Sequence, residues 1–276
     1  MPSSSRRFSL TLFSTSPDVI RQATAAGVDE VIVDWENQGK KERQNGADTE
    51  INKDTVSDLR RVRECTDATV ICRINQYGSG APEEIELAVG AGADEILLPM
   101  VRSRSEVEAV QKQVNGRCGL GILVETVKAV DEVESLAALP LTRVYVGLND
   151  LAIQRGCVNI FMALIDGTLE RIRRPFATRF GFGGLTLPDC GYPIPCRLLM
   201  GEMARLHCDF SFLRRSFRKD MVGREMGVEI PRLIDAIERS RLRPPETVTR
   251  ERQELREAIL AWPHTAGLPR ELSRHE

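Results

Sequence analysis

Short apolar segments alternate with amphipathic stretches along the chain, at the spacing of roughly 20 to 30 residues that is typical of βα units. Some segments, such as Val31-Ile32-Val33 and Ile96-Leu97-Leu98, are uninterrupted apolar runs, which indicates strands buried on both faces. The pattern predicts strands at residues 10–14, 30–36, 69–75, 95–100, 119–125, 143–148, 180–187 and 210–214. That number of parallel strands predicts a closed barrel.

Helical segments are predicted between these strands. Ser16-Pro17-Asp18 has the residues of a helix start, and residues 83–90 and 105–114 carry apolar positions at helical spacing. Segments 26–32 and 91–97 are near copies, each with a helix end, a glycine cap and a buried strand. This internal similarity indicates repeated βα modules.

The chain contains no Gly/Ser-rich or Pro-rich linker that would separate two domains. Its 276 residues suit one barrel, which typically needs about 250. We therefore expect an α/β fold, a single (β/α)8 TIM barrel over roughly residues 8–220 with extra C-terminal helices in a tail over residues 221–276. Pro244-Pro245 marks the break between the helices of this tail.

Composition and charge exclude several classes of partner. Lys and Arg number 38 and Asp and Glu number 40, for a net charge of -2, which leaves no global field for nucleic acid. The longest apolar runs, 96–101 and 119–124, fall far short of the roughly 20 residues that cross a bilayer. Seven scattered cysteines without a C-x-x-C pair predict neither disulfides nor a thiolate zinc site, so we expect a reducing, cytoplasmic location.

Histidine is scarce, since the chain has only His207, His264 and His275, and the last two lie in the polar tail. This composition disfavours chemistry built on imidazole. The ligands of a bound metal would therefore be mostly oxygens, which favours Mg2+ or Mn2+ over zinc.

Closed α/β barrels carry their active sites at the carboxyl ends of the strands. The polar residues at those ends are Asp34, Glu36, Arg73, Asn75, Glu125 and Asp150. Glu125 directly follows an apolar strand, and Asp150 follows the next strand after a turn that contains Gly147. Adjacent strands lie about 4.8 Å apart, so the two carboxylates can share one octahedral cation and leave positions for water and substrate. A lone glutamate there would equally well pair with an arginine or cap a helix.

Arg73 places a permanent cation among apolar neighbours in the third strand. One interpretation is a buried salt bridge with Asp34 or Glu36. The other is a fork of donors for a carboxylate or for a developing enolate oxygen.

Glycines and arginines near the last strands are weaker signals. Gly183 and Gly184 are a candidate phosphate cradle, although glycine within a strand more commonly marks close packing. Arg214 and Arg215 end the eighth strand, where alternation sends one of them inward. That arginine would bind a distal carboxylate or phosphate. The alternative is that these arginines lie on a surface exposed to solvent.

The succession of strand-end motifs matches a known family. Its parts are Asp34-x-Glu36, Arg73-Ile-Asn75, Glu125-Thr126 and Gly147-x-x-Asp150-Leu151. Over roughly residues 8–220 the chain resembles the HpcH/HpaI aldolase and citrate lyase family of the phosphoenolpyruvate and pyruvate barrel superfamily. The resemblance implies that Glu125 and Asp150 ligate Mg2+ or Mn2+ and that Arg73 stabilises an enolate oxygen. It also implies that main-chain amides at Asn149 and Asp150, beside Leu148, hold the substrate carboxylate, while Asp34 or Glu36 supports metal-bound waters.

The chain departs from the family pattern at two places. Aldolases of the family often have a histidine base after strand two, whereas this sequence reads Asp34-Trp35-Glu36-Asn37. A metal-bound water and Glu36 are then the candidate bases. Citrate lyase and malyl-CoA lyase relatives carry Gly-Phe-x-Gly-Lys followed by His-Pro near strand seven, but residues 181–188 lack that Lys and His. This difference disfavours a CoA thioester substrate.

These observations predict a metal-dependent carbon–carbon lyase, aldolase or synthase that acts through the enolate of a small 2-oxo acid, with an aldehyde or acid as co-substrate. One alternative is a phosphoenolpyruvate-using or phosphonate-type enzyme, in which Gly183, Gly184 and Arg214 would surround a phosphate. The other is a non-catalytic metal-binding barrel. The resemblance further implies a homo-oligomer, a trimer or hexamer, with terminal helices in 230–262 exchanged between subunits.

Overall fold

Parallel strands and helices alternate along the described part of the chain, residues 7–38 and 54–262 of a computed structural model. The strands are β1 Ser9–Phe13, β2 Glu30–Asp34, β3 Thr69–Arg73, β4 Glu95–Leu98, β5 Gly119–Val124, β6 Arg143–Val146, β7 Arg179–Phe182, β8 Gly184–Leu185 and β9 Phe210–Leu213. The helices are α1 Pro17–Ala25, α2 Val56–Cys65, α3 Ala81–Gly90, α4 Arg104–Val114, α5 Val127–Asp131, α6 Val133–Ala137, α7 Leu148–Gln154, α8 Thr168–Arg173, α9 Cys196–Arg205, α10 Arg215–Asp220, α11 Met226–Arg241 and α12 Pro245–Ala261. Several strands end one or two residues earlier than predicted.

The strands form one parallel sheet that curves into a nearly closed barrel. The order in the sheet is β7-β6-β5-β4-β3-β2-β1-β9-β8. The two outermost strands, β7 and β8, are therefore consecutive in the chain. Only Gly183 separates β7, which pairs with β6, from β8, which pairs with β9. Gly183 has a φ of 57°, a left-handed conformation that glycine adopts without strain. The predicted α/β barrel is confirmed, and its seventh strand is bent at this glycine.

Side chains fill the barrel interior in layers, because alternate residues of each strand point inward. The middle layer is apolar and consists of Ile32, Ile71, Leu97, Leu123, Tyr145, Phe210 and Phe212. Tyr145 stacks on Phe212 with ring centroids 3.7 Å apart, which closes the centre of the barrel. Inward residues nearer the amino ends of the strands form a charged layer, and those nearer the carboxyl ends form the barrel mouth.

The charged layer surrounds Arg143, whose side chain is 1% exposed. Its Nη1 donates to Glu30 Oε2 at 2.5 Å, and its guanidinium also forms an ion pair with Glu95. Arg179 Nη1 lies 2.7 Å from the other carboxylate oxygen of Glu30. Gly121 makes room for these groups, since a Cβ there would lie 2.6 Å from both Arg143 and Glu95. Such a layer is stable only while every buried charge keeps its partner.

The predicted C-terminal helices cover one side of the barrel. α11 packs against α1 and α9, and α12 packs against α9. Leu255 and Ile259 of α12 are buried, and the Ile259 carbonyl accepts a hydrogen bond from Asn159 Nδ2 at 2.9 Å. The chain breaks between α11 and α12 at Pro244-Pro245, as expected. None of the helices in residues 7–38 and 54–262 is long and apolar enough to span a membrane.

Candidate active site

A cavity of about 420 Å³ opens at the carboxyl ends of the strands. The middle layer forms its floor, where Leu123, Tyr145 and Phe212 reach the cavity. Its charged and amide side chains are Asp34, Asp54, Arg73, Glu125, Asn149, Asp150, Arg214 and Arg218. Leu148 also lines the cavity, whereas Glu36 does not. The structure thus brings the residues predicted for the site together in one cavity, except Glu36 and Asn75.

Glu125 directly follows β5, and it is buried, with 3% of its surface exposed. Its Oε1 accepts a hydrogen bond from the main-chain N–H of Met100 at 2.8 Å. Met100 has a φ of 53°, a strained conformation for a residue with a side chain, which aims its amide at Glu125. On the other side, a Cβ on Gly147 would lie 2.1 Å from Glu125 Oε2. The carboxylate therefore fits only because residue 147 is glycine.

Burial raises the pKa of Glu125 to about 8, and the nearby charges of Asp150 and Glu36 add to this effect. The amide of Met100 and the guanidinium of Arg73 lower the pKa without cancelling the rise. The raised pKa therefore favours the protonated form of Glu125 at neutral pH when no metal ion is bound.

Asp150 lies in the first turn of α7, at the end of the strand next to Glu125. It is 9% exposed and lines the cavity. The first intrahelical N–H bond of α7 runs from Leu151 to the Gly147 carbonyl, so the amides of residues 148–150 precede it. This segment therefore presents a carboxylate and main-chain amides close to Glu125.

Arg73 is held by two acidic residues and also lines the cavity. Its Nε and Nη2 donate to the two oxygens of Asp34 at 2.8 and 2.7 Å, and its Nη1 lies 3.3 Å from Glu36 Oε2. Burial opposes the charge of Arg73, but the carboxylates of Asp34 and Glu36 keep its pKa above its usual range. Each terminal nitrogen has a second N–H that these contacts do not use. The buried salt bridge therefore orients a guanidinium that still has donors for a ligand.

Two other residues of the motif hold loops in place. Asn75 Oδ1 accepts hydrogen bonds from the main-chain amides of residues 37–38 at 2.9 Å, and its Nδ2 donates to Glu84 at 2.7 Å. Thr126 donates to the Val101 carbonyl at 2.6 Å and caps α5. Asn75 thereby fixes the loop after β2, and Thr126 fixes the turn after Glu125.

The donor set fits a hard divalent cation. Glu125 and Asp150 provide carboxylate oxygens from neighbouring strand ends, and Gly147 leaves the space that one of these carboxylates needs. Within residues 7–38 and 54–262, no group of three or more His, Cys, Asp or Glu residues is arranged to hold a metal. The remaining ligands would therefore be water and substrate, as is usual for Mg2+.

The arginines and glycines near the last strands occupy one wall of the cavity. Arg214 lines it, while the side chain of Arg215 lies outside the described part of the structure. The N–H of Gly183 donates to the Val146 carbonyl at 3.3 Å. A Cβ on Gly184 would lie 2.8 Å from Arg214 Cβ. The glycines therefore serve close packing, the more common role of glycine in a strand.

Asp54 lines the cavity although the sequence did not single it out. Its Oδ2 accepts a hydrogen bond from the main-chain N–H of Asp34 at 2.9 Å. Burial raises the pKa of Asp54, and the charge of Asp34 adds to the rise against the effect of that hydrogen bond. The sequence signal was its position just before Thr55, the N-cap of α2, but its approach to β2 depends on tertiary packing. Other lining residues that were missed are Phe13, Tyr145, Phe161 and Arg218.

Comparisons with known proteins identify the family and the fold of the chain. The profile of the HpcH/HpaI aldolase/citrate lyase family matches residues 7–159, more than half of the chain. The solved structure of citrate synthase SbnG aligns with a TM-score of 0.58 at 16% identity, over 79% of this chain and 91% of that one. RipC from Yersinia pestis aligns with a TM-score of 0.56 at 15% identity, over 89% and 100%. At these identities the structures show a shared fold, and a search of the curated proteins finds no match.

Proposed function

The chain belongs to the HpcH/HpaI aldolase/citrate lyase family, and from this membership and the cavity geometry we propose that it is a divalent-metal-dependent carbon–carbon lyase or synthase. It acts through the enolate of a small 2-oxo acid of the pyruvate or oxaloacetate type, with an aldehyde or acid as co-substrate. Family membership indicates an enzyme of the lyase or aldolase type. The observation that carries the finer proposal is the buried pair Glu125 and Asp150 beside Arg73 in one cavity.

Glu125 and Asp150 are the residues that would hold Mg2+ or Mn2+. Both carboxylates must be ionised to do so, which removes the proton that Glu125 otherwise carries. When bound, such an ion polarises the carbonyl of a 2-oxo acid and stabilises negative charge on its oxygen. The charges of Asp150 and Glu36, which add to the effect of burial on the pKa of Glu125, support an ion-binding role, because a bound cation would offset their repulsion.

Arg73 stabilises charge that develops on the substrate. Asp34 fixes its guanidinium through two hydrogen bonds, so its remaining N–H groups are preorganised for the enolate oxygen. The main-chain amides at Asn149 and Asp150 bind the substrate carboxylate. The apolar middle layer below excludes water from the carbon that reacts.

A base must remove or return the proton at the carbon next to the carbonyl. Glu36 was predicted for this role, but it contacts Arg73 and does not line the cavity. Asp54 lines the cavity, and the Asp34 amide holds its carboxylate. Its raised pKa brings it closer to the range in which a carboxyl group exchanges protons efficiently. We assign proton transfer to Asp54.

Exchange of the pyruvate C3 hydrogens with deuterium from solvent tests the proposal without a second substrate. We expect exchange, followed by proton NMR, that requires added Mg2+ or Mn2+. Glu125→Gln should lower its rate by about 100-fold or more, since a carboxylate ligand is lost. Glu134→Gln, at an exposed glutamate, is the control and should exchange at the wild-type rate.

Asp54→Asn tests the assignment of the base in the same assay. Loss of a general base lowers rates by about 100-fold or more, whereas metal affinity should stay near the wild-type value. If Asp54→Asn exchanged the hydrogens at the wild-type rate, Asp54 would not be the base. Metal-independent exchange, or none at any metal concentration, would contradict the proposed function itself.

The phosphoenolpyruvate or phosphonate alternative has less support from the structure. A phosphate cradle needs free main-chain amides, but the Gly183 amide is bonded to the Val146 carbonyl. A non-catalytic barrel would not need Met100 in a strained conformation to aim its amide at a buried carboxylate. Both observations favour the lyase or synthase.

A further inference from the structure

Phe13 is the last residue of β1, and its side chain points into the barrel. Along this strand, Thr11 donates to Glu30 of the charged layer at 2.7 Å, and alternation places Phe13 on the same inward face. Phe13 packs against the apolar middle layer and is only partly buried, because it also lines the cavity. An aromatic ring therefore faces the space in which the substrate is proposed to bind.

The guanidinium of Arg73 lies over the ring of Phe13. Its central carbon, Cζ, is 5.2 Å from the ring centroid, within the range of about 6 Å in which the face of a ring attracts a cation. β2 lies between β3 and β1, so the pairing of Arg73 with Asp34 at the end of β2 directs the guanidinium towards Phe13. Phe13 thus contacts the residue to which we assign stabilisation of the enolate.

The ring of Phe13 restrains this guanidinium in a way that Asp34 does not. Two hydrogen bonds hold Arg73 against the Asp34 carboxylate, but they constrain its tilt about the axis that joins the two groups only weakly. A ring against one face limits this tilt and uses no N–H group, because all the donors of arginine lie in the guanidinium plane. The N–H groups that face the cavity therefore keep a fixed direction.

Phe13 is itself held in place by its neighbours. Its ring meets the ring of Phe212 edge-on, with centroids 5.3 Å apart, and Phe212 stacks on Tyr145. Its carbonyl accepts a hydrogen bond from Arg218 Nη2 at 2.6 Å. The three aromatic rings thus form a continuous support from the floor of the cavity to Arg73.

We propose that Phe13 is a positioning residue, which sets the plane of the Arg73 guanidinium so that its N–H groups meet the enolate oxygen as negative charge develops there. The inference rests on the proposed function and adds an uncharged residue to it. A donor aimed at developing charge stabilises the enolate more than it stabilises the bound 2-oxo acid. Loss of the ring should therefore affect the reaction rate and the binding of an enolate analogue more than the binding of pyruvate.

Phe13→Leu removes the ring and keeps an apolar side chain. In the deuterium-exchange assay at saturating Mg2+, kcat should fall by about tenfold or more, while KM for pyruvate should change by less than about threefold. Oxalate resembles the planar enolate of pyruvate, and its Kd in the presence of Mg2+, measured by titration calorimetry, should rise by about tenfold. Phe13→Tyr keeps a ring and should recover both values to within about threefold of the wild type.

Phe180→Leu is the matched control. Arg173 Cζ lies 5.2 Å from the centroid of the Phe180 ring, the same spacing as that of Arg73 and Phe13, but Phe180 does not line the cavity. This variant should keep the wild-type kcat and the wild-type Kd of oxalate. Thermal unfolding shows whether each variant is folded, and Phe13→Met, which also lacks a ring, replaces Phe13→Leu if that variant is not.

The outcomes separate this inference from the proposed function. A wild-type kcat and oxalate Kd in Phe13→Leu, or equal weakening of pyruvate and oxalate binding, would mean that Phe13 only shapes the cavity. A loss of kcat in Phe180→Leu as large as that in Phe13→Leu would trace the effect to the fold. Each of these results would overturn the role of Phe13 and leave the lyase proposal intact. If the wild type exchanges no pyruvate hydrogens at any metal concentration, both proposals are wrong.

Discussion

Gly147 and Glu125 illustrate how a single atom decides the geometry of this site. The Glu125 carboxylate occupies the space where a side chain at position 147 would begin. Met100 contributes a hydrogen bond from the opposite side at the expense of backbone strain. The position of the carboxylate is therefore determined by neighbours that bear no charge themselves.

Gly147→Ala should displace Glu125, because the new Cβ would lie 2.1 Å from its Oε2. We expect Mg2+ affinity, measured by titration calorimetry, to fall by about tenfold or more. Gly90→Ala is the matched control, since nothing lies within 4 Å of a Cβ there and affinity should not change. Wild-type affinity in Gly147→Ala would show that Glu125 does not bind the ion.

The raised pKa of Glu125 predicts how stability changes with pH. Without metal, the folded protein keeps a proton on Glu125 up to about pH 8, whereas the unfolded chain releases it near 4.5. The unfolding free energy contributed by this group is therefore fully present below pH 4.5 and is lost as pH rises to about 8, on the order of a few kcal/mol. Urea unfolding at pH 5.5 and 8 should show this loss in the wild type and a smaller one in Glu125→Gln.

Saturating Mg2+ should reduce the loss, because the ion takes the place of the proton. Equal pH dependence in the wild type and in Glu125→Gln would mean that this carboxylate is not the group responsible.

At the scale of elements, the barrel separates stability from function along its strands. The charged layer lies at the amino ends, the apolar layer lies in the middle, and the cavity lies at the carboxyl ends. The same strands supply all three, so that β2 contributes Glu30, Ile32 and Asp34 in turn. A substitution at the amino ends of the strands should therefore affect folding far more than catalysis.

Arg143→Met tests this separation, because it leaves Glu30 and Glu95 buried without their shared cation. We expect the unfolding free energy in urea to fall by about 3–5 kcal/mol. Arg171→Met is the control, since Arg171 and Asp131 form an exposed pair worth less than about 1 kcal/mol. A loss no larger than that of the control would contradict the role given to the charged layer.

The elements also show what the sequence could predict. Alternating and continuous apolar runs located every strand of the barrel, and the carboxylates that follow β5 and β6 pointed to their cavity. The bend at Gly183 was not predictable, because a glycine in a strand pattern indicates a bulge and close packing equally well. Asp54 was missed for a related reason, since a polar residue before a helix cap gives no sign of which strand it will contact. The resemblance to the family implied that Asp34 or Glu36 supports metal-bound waters. In the structure, Glu36 lies 3.3 Å from Arg73 Nη1 and does not line the cavity.

At the scale of the whole molecule, the chain after the barrel is part of its packing. α12 packs against α9, its residues Leu255 and Ile259 are buried, and Asn159 donates to the Ile259 carbonyl. Asn159 belongs to the same loop as Ile160 and Phe161, which line the cavity. The terminal helix therefore supports one wall of the site from outside.

Ile259→Ala should destabilise the protein by about 2–4 kcal/mol, because it empties a fully buried position. Leu260→Ala, at the adjacent residue that is 46% exposed, should cost far less. Thermal unfolding of the two variants checks this difference. Equal losses would mean that α12 does not pack on its own barrel through Ile259.

We propose above all that Glu125 and Asp150 jointly bind one divalent ion that also binds a 2-oxo acid. A crystal structure with Mn2+ and oxalate, read by anomalous scattering, tests it most directly. We expect a single Mn2+ with an oxygen of each carboxylate at a coordination distance of about 2.1 Å and with oxalate in two further positions. An ion bound elsewhere, or one that contacts neither carboxylate, would contradict it.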